Sequence, residues 1–113
     1  MKGEGEELLR LFQSLDAGKR RMLMEFAEFL SHRVPAVPDA PPPVPEPRAA
    51  NETVVKAIQR LARTYPMLDR RKLLAETSRC VEQHMIHGRD ANEVITELEL
   101  IFEQHYEKRI AGG

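Results

Sequence analysis

The sequence predicts an all-α protein with three zones: a helical hairpin over residues 1–33, a proline-rich linker over 34–50 and a three-helix bundle over 51–113. Three observations lead to this prediction. Apolar residues recur at spacings of three and four, which is the period of a helix face. Asp, Asn and Thr residues precede these runs, where helix N-caps belong. No segment combines strict apolar–polar alternation with the β-branched enrichment that is typical of a strand.

Two helices are predicted in the N-terminal zone. The first carries an apolar stripe of Leu8, Leu11, Phe12 and Leu15. Asp16 is a suitable N-cap for the second helix, which we expect to run to about Arg33. The apolar face of the second helix repeats at about 100° per residue. It comprises Met22, Leu23, Phe26, Ala27, Phe29 and Leu30.

The proline-rich zone separates the two helical zones. Seven of the eight prolines lie between Pro35 and Pro47. Proline removes a backbone donor and fixes φ, so neither a helix nor a central strand is expected there. We interpret residues 34–50 as a semi-rigid linker in the polyproline conformation. Its 17 residues would span about 50 Å when extended at roughly 3.1 Å per residue.

The first helix of the C-terminal zone has two candidate caps, Asn51 and Thr53. Pro66 ends this helix, because proline disfavours the helical conformation in the residue before it. The spacing of apolar residues at three and four continues between these limits. The expected apolar stripe is Val54, Ile58, Leu61, Ala62 and Tyr65.

Two further helices complete the predicted bundle. Asp69 caps one of them, and Gly88 suits the left-handed position beyond its end. Asp90 followed by Glu93 resembles a capping box for the last helix. The expected apolar positions are Leu73, Leu74, Thr77, Val81 and Met85 in the first of these helices, and Ala91, Val94, Ile95, Leu98, Ile101, Phe102, His105 and Tyr106 in the second.

Composition and the chain's first residues indicate an intracellular protein, which we expect in the cytoplasm. The acidic stretch from Met1 to Glu7 is not followed by the apolar run of a signal peptide. No segment approaches the roughly 18–20 apolar residues that a bilayer crossing needs. Cys80 is the only cysteine, so no intramolecular disulfide forms. The net charge of −1 excludes a uniformly basic nucleic-acid binder, although not a local basic patch.

The predicted hairpin indicates association. About 30 residues bury too little apolar area to offset their chain entropy alone. The apolar face therefore either packs on the C-terminal bundle or pairs with a second chain in a four-helix bundle. The long linker favours a homodimer. The expected anchors are Leu11, Phe12, Met22, Phe26, Phe29 and Leu30.

The same N-terminal segment resembles part of a known class of proteins. Leu8–Phe12, Leu15–Asp16 and Met22–Leu30 resemble a helical segment of some bacterial antitoxins of toxin–antitoxin pairs. In those proteins the segment follows a DNA-binding element and is a tail that binds other chains. The resemblance implies a chain-binding role for about 26 of the 113 residues. The remainder resembles small all-helical bacterial proteins.

A basic stretch supports an alternative function. Residues 51–79 contain seven basic side chains and three acidic ones. The predicted turn after Tyr65 loosely resembles that of a helix-turn-helix, in which the second helix contacts bases through its N-terminal end. The alternative is therefore a nucleic-acid-binding transcriptional regulator that uses Arg63, Arg70, Arg71 and Lys72.

One group of metal-ligand residue types lies on a single predicted helix: Glu76, Cys80, His84 and His87. Ligands spaced by four on one helix do not surround an ion without help from another element, so we interpret them as packing and surface residues. The sequence also lacks a phosphate-binding glycine loop and a nucleophile motif. We therefore expect no enzyme activity, cofactor or metal, and predict a small adaptor or regulator that binds protein partners and self-associates.

Overall fold

The computed structural model describes residues 3–32 and 34–112. The chain forms two compact units, Met1–Arg33 and Val34–Gly113. The described residues contain five helices and no strand, so the predicted all-α class is confirmed. None of these helices combines the length and apolar character of a membrane crossing. The helices are α1 (Glu4–Ser14), α2 (Ala17–Ser31), α3 (Val54–Thr64), α4 (Arg70–Met85) and α5 (Ala91–Ala111).

The predicted N-caps are confirmed for four helices. The side chains of Asp16, Thr53, Asp69 and Asp90 each accept a hydrogen bond from a backbone N–H in the first turn of the helix that follows. Thr53, and not Asn51, therefore caps α3. Gly88 has a φ of 69°, the left-handed conformation that glycine adopts without a steric penalty. The predicted end of α2 near Arg33 lies outside the described residues.

The core of the C-terminal unit forms where α3, α4 and α5 contact one another. Leu73, Thr77 and Val81 are buried at the spacing of four predicted for α4. The prediction that Leu74 belongs to this face is wrong, because Leu74 lies about 100° around the helix from Leu73 and is 42% exposed. The largest fully buried side chains all belong to this unit: Val54, Val55, Ile58, Cys80, Val94, Ile95 and Leu98.

In the N-terminal unit, Arg20 joins the end of α1 to the start of α2. Its guanidinium donates hydrogen bonds to the backbone carbonyls of Phe12 and Gln13, at 3.1 and 2.7 Å. Its Cζ also lies 5.7 Å from the centroid of the Phe12 ring. Carbonyls in the last turn of a helix lack the regular partner four residues on. Arg20 supplies one for Gln13 and adds a second for Phe12, whose carbonyl also accepts from the Leu15 N–H at 3.2 Å. Phe26 is the one buried side chain among the described residues of this unit.

The proline-rich segment, residues 34–50, has no helix or strand and groups with α3–α5 in the C-terminal unit. Its first part forms two hydrogen bonds to the helical part, and both use the backbone of the segment. The Val37 N–H donates to the Pro66 carbonyl at 2.8 Å, and the Arg109 guanidinium donates to the Pro38 carbonyl at 3.1 Å. The boundary between the two compact units therefore falls at the start of this segment.

A buried ion-pair cluster connects the end of this segment to α3 and α5. The Arg60 guanidinium donates two hydrogen bonds to Glu52, at 2.9 and 3.0 Å, and one to Glu99 at 2.9 Å. It also donates to the Glu46 carbonyl at 3.3 Å, and Arg48 donates to Glu99 at 2.6 Å. Burial alone would favour the neutral acid at Glu99, but the bonds from Arg48 and Arg60 outweigh it and lower the pKa of Glu99.

Arg60→Ala is expected to destabilise the C-terminal unit by about 3–5 kcal/mol, because it leaves the buried Glu52 carboxylate without its partner. Both tyrosines of the chain, Tyr65 and Tyr106, lie in this unit. Their fluorescence during urea unfolding therefore reports its free energy of unfolding. Arg63→Ala is the control, since Arg63 pairs with Glu46 on the surface and such pairs contribute at most about 1 kcal/mol. Equal losses for the two variants would contradict the prediction.

Candidate functional site

The first candidate site is the apolar face of α1 and α2. Of the six predicted anchors, Phe26 is buried to 7% exposure. Three others, Phe12, Met22 and Phe29, are half-buried. Leu11 and Leu30 remain 47% and 44% exposed. The single chain therefore covers this face only in part.

The exposed apolar residues of this unit fall into two groups. Leu8 and Leu11 belong to the predicted stripe of α1, and Leu30 belongs to that of α2. Leu9 and Met24 are also exposed, but each lies more than 90° around its helix from the centre of the stripe. Isolated exposed apolar residues are ordinary, whereas exposed residues continuous with a partly buried face are typical of a protein-binding surface. The stripe is thus the candidate contact.

The second candidate surface, the basic stretch, is largely neutralised within the fold. Arg60 lies in the buried cluster with Glu52 and Glu99. Arg63 lies 3.4 Å from a Glu46 carboxylate oxygen. Arg79, on α4, lies 3.2 Å from Glu97 on α5. Three of the seven basic side chains of residues 51–79 thus face carboxylates of the same chain.

The remaining predicted nucleic-acid residues, Arg70, Arg71 and Lys72, are the first three residues of α4. Arg71 and Lys72 are exposed, and neither has an ion pair with another described residue. Arg70 is half-buried, and burial lowers the pKa of its guanidinium. Asp69, the helix cap, places a carboxylate directly before these cations. The exposed charge available to a phosphate backbone is therefore smaller than the sequence count indicates.

Three of the four metal-ligand residue types lie on α4, but His87 lies beyond its end at Met85, so the prediction that all four share one helix is wrong. The four side chains have separate partners. Among the residues that the structure describes, no group of three or more His, Cys, Asp or Glu is placed to hold a metal ion. Each side chain instead has a protein group nearby, so each has a structural explanation. Glu76 contacts His105 at 2.8 Å, Cys80 contacts Glu97 at 3.4 Å, His84 contacts the Arg89 carbonyl at 2.7 Å, and His87 lies 3.9 Å from Glu82.

Cys80 is fully buried beside a charged cluster. Its thiol donates to Glu97, which also accepts a hydrogen bond from Arg89 at 2.6 Å and one from Arg79 at 3.2 Å. The bond from Arg89 is the largest cause that lowers the pKa of Glu97. Burial, helped by the bond to Glu97, raises the pKa of Cys80 to about 11. The protonated thiol is a poor nucleophile at neutral pH, so Cys80 has the chemistry of a core residue.

A third candidate is a small cavity of about 50 Å³ beneath the start of the proline-rich segment. Val34, Pro35 and Val37 form one side of it. The volume is sufficient for a few water molecules. This feature was not predicted from the sequence, because residues 34–50 were interpreted as a linker; the valines of the segment were the available signal. The opposite side is formed by Ala62, Tyr65, Leu68, Leu73 and Phe102, with Pro66 and Arg70 at the edges.

Comparisons with known proteins assign neither a family nor a function to the chain. No protein-family model matches the chain, and neither a curated protein nor a solved structure matches it. The candidate surfaces are therefore ranked by their physical properties. The stripe of α1 and α2 is ranked first, because Leu8, Leu11 and Leu30 remain exposed on the same face as the buried Phe26.

Cys80 is expected to resist alkylation in the folded chain. At a pKa of about 11, about one thiol in a thousand is ionised at pH 8, and burial slows access further. Iodoacetamide labelling followed by mass spectrometry should therefore be slow in buffer and fast in urea. The native rate should rise about tenfold per pH unit between pH 8 and 10 for as long as the fold persists. A native rate as fast as that of the unfolded chain would contradict this.

Proposed function

We propose that this protein is a non-enzymatic interaction module that self-associates through the apolar face of α1 and α2, and so acts as a small adaptor or regulator. The supporting observation is the exposure of Leu11 and Leu30 beside the buried Phe26. Pairing of two such faces would form a four-helix arrangement with one shared core. The predicted anchors are again Leu11, Phe12, Met22, Phe26, Phe29 and Leu30.

The energetics support association. A unit of about 30 residues with one buried side chain does not bury enough apolar area to offset its backbone entropy of roughly 1–2 kcal/mol per residue. Each additional side chain of the Leu or Phe class that becomes fully buried contributes about 1.5–3 kcal/mol. Mutual burial of the half-exposed anchors therefore stabilises both the helices and the dimer. Folding and association of this unit are then coupled.

Light scattering of the full chain is expected to give twice the 12.9 kDa of one chain at micromolar concentration. Leu11→Glu and Leu30→Glu should each weaken the dimer by about 100-fold in Kd, because burying an unpaired carboxylate costs several kcal/mol. Both residues are already exposed in the single chain, so neither change removes core packing.

Matched controls lie on the same helices. Leu9→Glu on α1 and Met24→Glu on α2 add the same charge at residues that are 55% and 50% exposed but lie off the stripe. They should leave the dimer intact. A wild-type chain that is monomeric at high micromolar concentration would contradict the proposal. So would equal weakening by the stripe variants and the controls.

The second candidate function is nucleic-acid binding, which Arg71 and Lys72 support because they are exposed without an ion pair to another described residue. Arg63, with its Glu46 partner, and Arg70, half-buried, would add less. Two phosphate contacts change the logarithmic salt slope by only about 2. Such a contact is too weak to hold nucleic acid by itself at physiological salt.

Binding of a labelled DNA duplex, followed by fluorescence anisotropy, is therefore expected to be weak at low salt and undetectable at about 0.15 M salt. The double variant Arg71→Glu/Lys72→Glu should remove the low-salt binding. Lys19→Glu, which replaces a cation in the N-terminal unit, is the control and should leave the low-salt binding largely unchanged. Sequence-dependent binding that persists at physiological salt and is lost in the double variant would favour the regulator function over the interaction module.

A further inference from the structure

The first part of the proline-rich segment, residues 34–40, lies over an apolar groove of the C-terminal unit. The groove runs between the end of α3, the turn before α4 and the middle of α5. Two hydrogen bonds hold the segment, and both use its backbone: the Val37 N–H donates to Pro66, and the Pro38 carbonyl accepts from Arg109. The Ala40 N–H also donates to the Val37 carbonyl at 3.2 Å, so the chain turns at Pro38 and Asp39. Because neither bond to the helices depends on a side chain of the segment, another peptide that is extended up to the position of Val37 and turned after it could form both.

The groove has the composition of a site for extended proline-containing peptides. Leu68, Leu73 and Phe102 are buried in its floor. The Tyr65 ring packs 6.0 Å from Phe102 and 5.7 Å from Tyr106, measured between ring centroids. Domains that bind proline-rich peptides use aromatic grooves together with donors to the peptide carbonyls, because the polyproline conformation leaves its backbone groups unpaired.

The chain's own segment fills this groove incompletely. Val34 and Val37 remain 52% and 49% exposed. A cavity of about 50 Å³ lies between these valines and the helices. Apolar surface that stays in contact with water does not contribute to binding. A peptide with a larger apolar side chain at either position would bury more of this surface.

We infer that this groove is a docking site for a proline-containing segment of a partner protein that follows the same path as residues 34–40 and has a leucine or a larger apolar residue where this chain has Val34 or Val37. Residues 34–40 then act as an intramolecular competitor, which covers the groove until the partner segment displaces it. A second copy of this chain carries the same valines and would leave the same cavity. It would also compete against a segment whose effective concentration is high because it is covalently attached.

The inference is independent of the proposed dimer, since it concerns a different unit of the chain. It predicts that loosening the built-in segment raises the affinity for a peptide added in trans. The apparent dissociation constant of such a site equals the intrinsic constant divided by the fraction of chains whose groove is open. A change that removes the Val37 N–H donor is the most direct way to increase that fraction.

The experiment uses the full chain and two synthetic peptides, one of residues 34–40 and one of the same residues with Val34→Leu and Val37→Leu. Binding is followed by amide and aromatic NMR shifts, which detect millimolar affinities. We expect the leucine peptide to shift signals of Tyr65, Leu73 and Phe102, and to bind Val37→Pro at least about tenfold tighter than the wild type. Val44→Pro is the matched control, because Val44 is 80% exposed; it should bind as the wild type does.

Three results would overturn the inference: no shifts in Val37→Pro at millimolar peptide, shifts confined to other surfaces, or equal affinity for wild type and Val37→Pro. Equal affinity for both peptides would make a second copy's segment as good an occupant and would overturn the partner assignment. If circular dichroism shows that Val37→Pro has lost helix, Val37→Gly replaces it. This variant keeps the amide and removes the valine packing, and the same increase in affinity is expected.

Discussion

The Arg60 guanidinium lies where the proline-rich segment, α3 and α5 meet, and its burial constrains each of them. A buried cation requires carboxylates close by, and Glu52 and Glu99 provide them from two sides. Glu52 in turn fixes the chain just before α3, and Glu99 fixes the middle of α5. The Glu46 carbonyl extends the same cluster into the proline-rich segment. The segment is thus held by charged groups at its end, whereas its start, at Val34, Pro35 and Val37, lines a pocket together with apolar side chains of the helices.

Among the described residues of the N-terminal unit there is no equivalent cluster of buried ion pairs, so its two helices are held together by other contacts. Its two helices are joined by Arg20, which completes the backbone hydrogen bonding at the end of α1 but buries no apolar area by itself. Phe26 is the one described side chain that reaches core burial. The C-terminal unit completes its core within one chain, whereas the stripe of α1 and α2 presents anchors that a second apolar face would cover. The two units therefore differ in how far the single chain buries their apolar side chains.

Local features were predictable from the sequence, and distant contacts were not. The caps at Asp16, Asp69 and Asp90 follow from hydrogen bonds to amides two or three residues away, which the sequence displays directly. Leu74 was placed wrongly because a spacing of three or four admits two neighbouring positions, and packing selects one. The contacts of the proline-rich segment join residues 51 and 71 positions apart, as Arg48 with Glu99 and Arg109 with Pro38 show. No local pattern encodes such pairs.

The charges available to a ligand are likewise not predictable from local sequence, because distant contacts can pair them. A count of basic residues over 51–79 indicates a cationic surface, but a charge is available to a ligand only if the fold has not already paired it. Arg60, Arg63 and Arg79 each face a carboxylate of the chain, and two of these carboxylates, Glu97 and Glu99, come from the acidic helix α5. Basic side chains of the C-terminal unit are thus paired with its acidic side chains. Opposite charges on neighbouring helices attract each other and so stabilise the packing of those helices. The two proposed contacts accordingly depend on apolar side chains that remain exposed: Leu11 and Leu30 in the stripe of α1 and α2, and Val34 and Val37 over the groove.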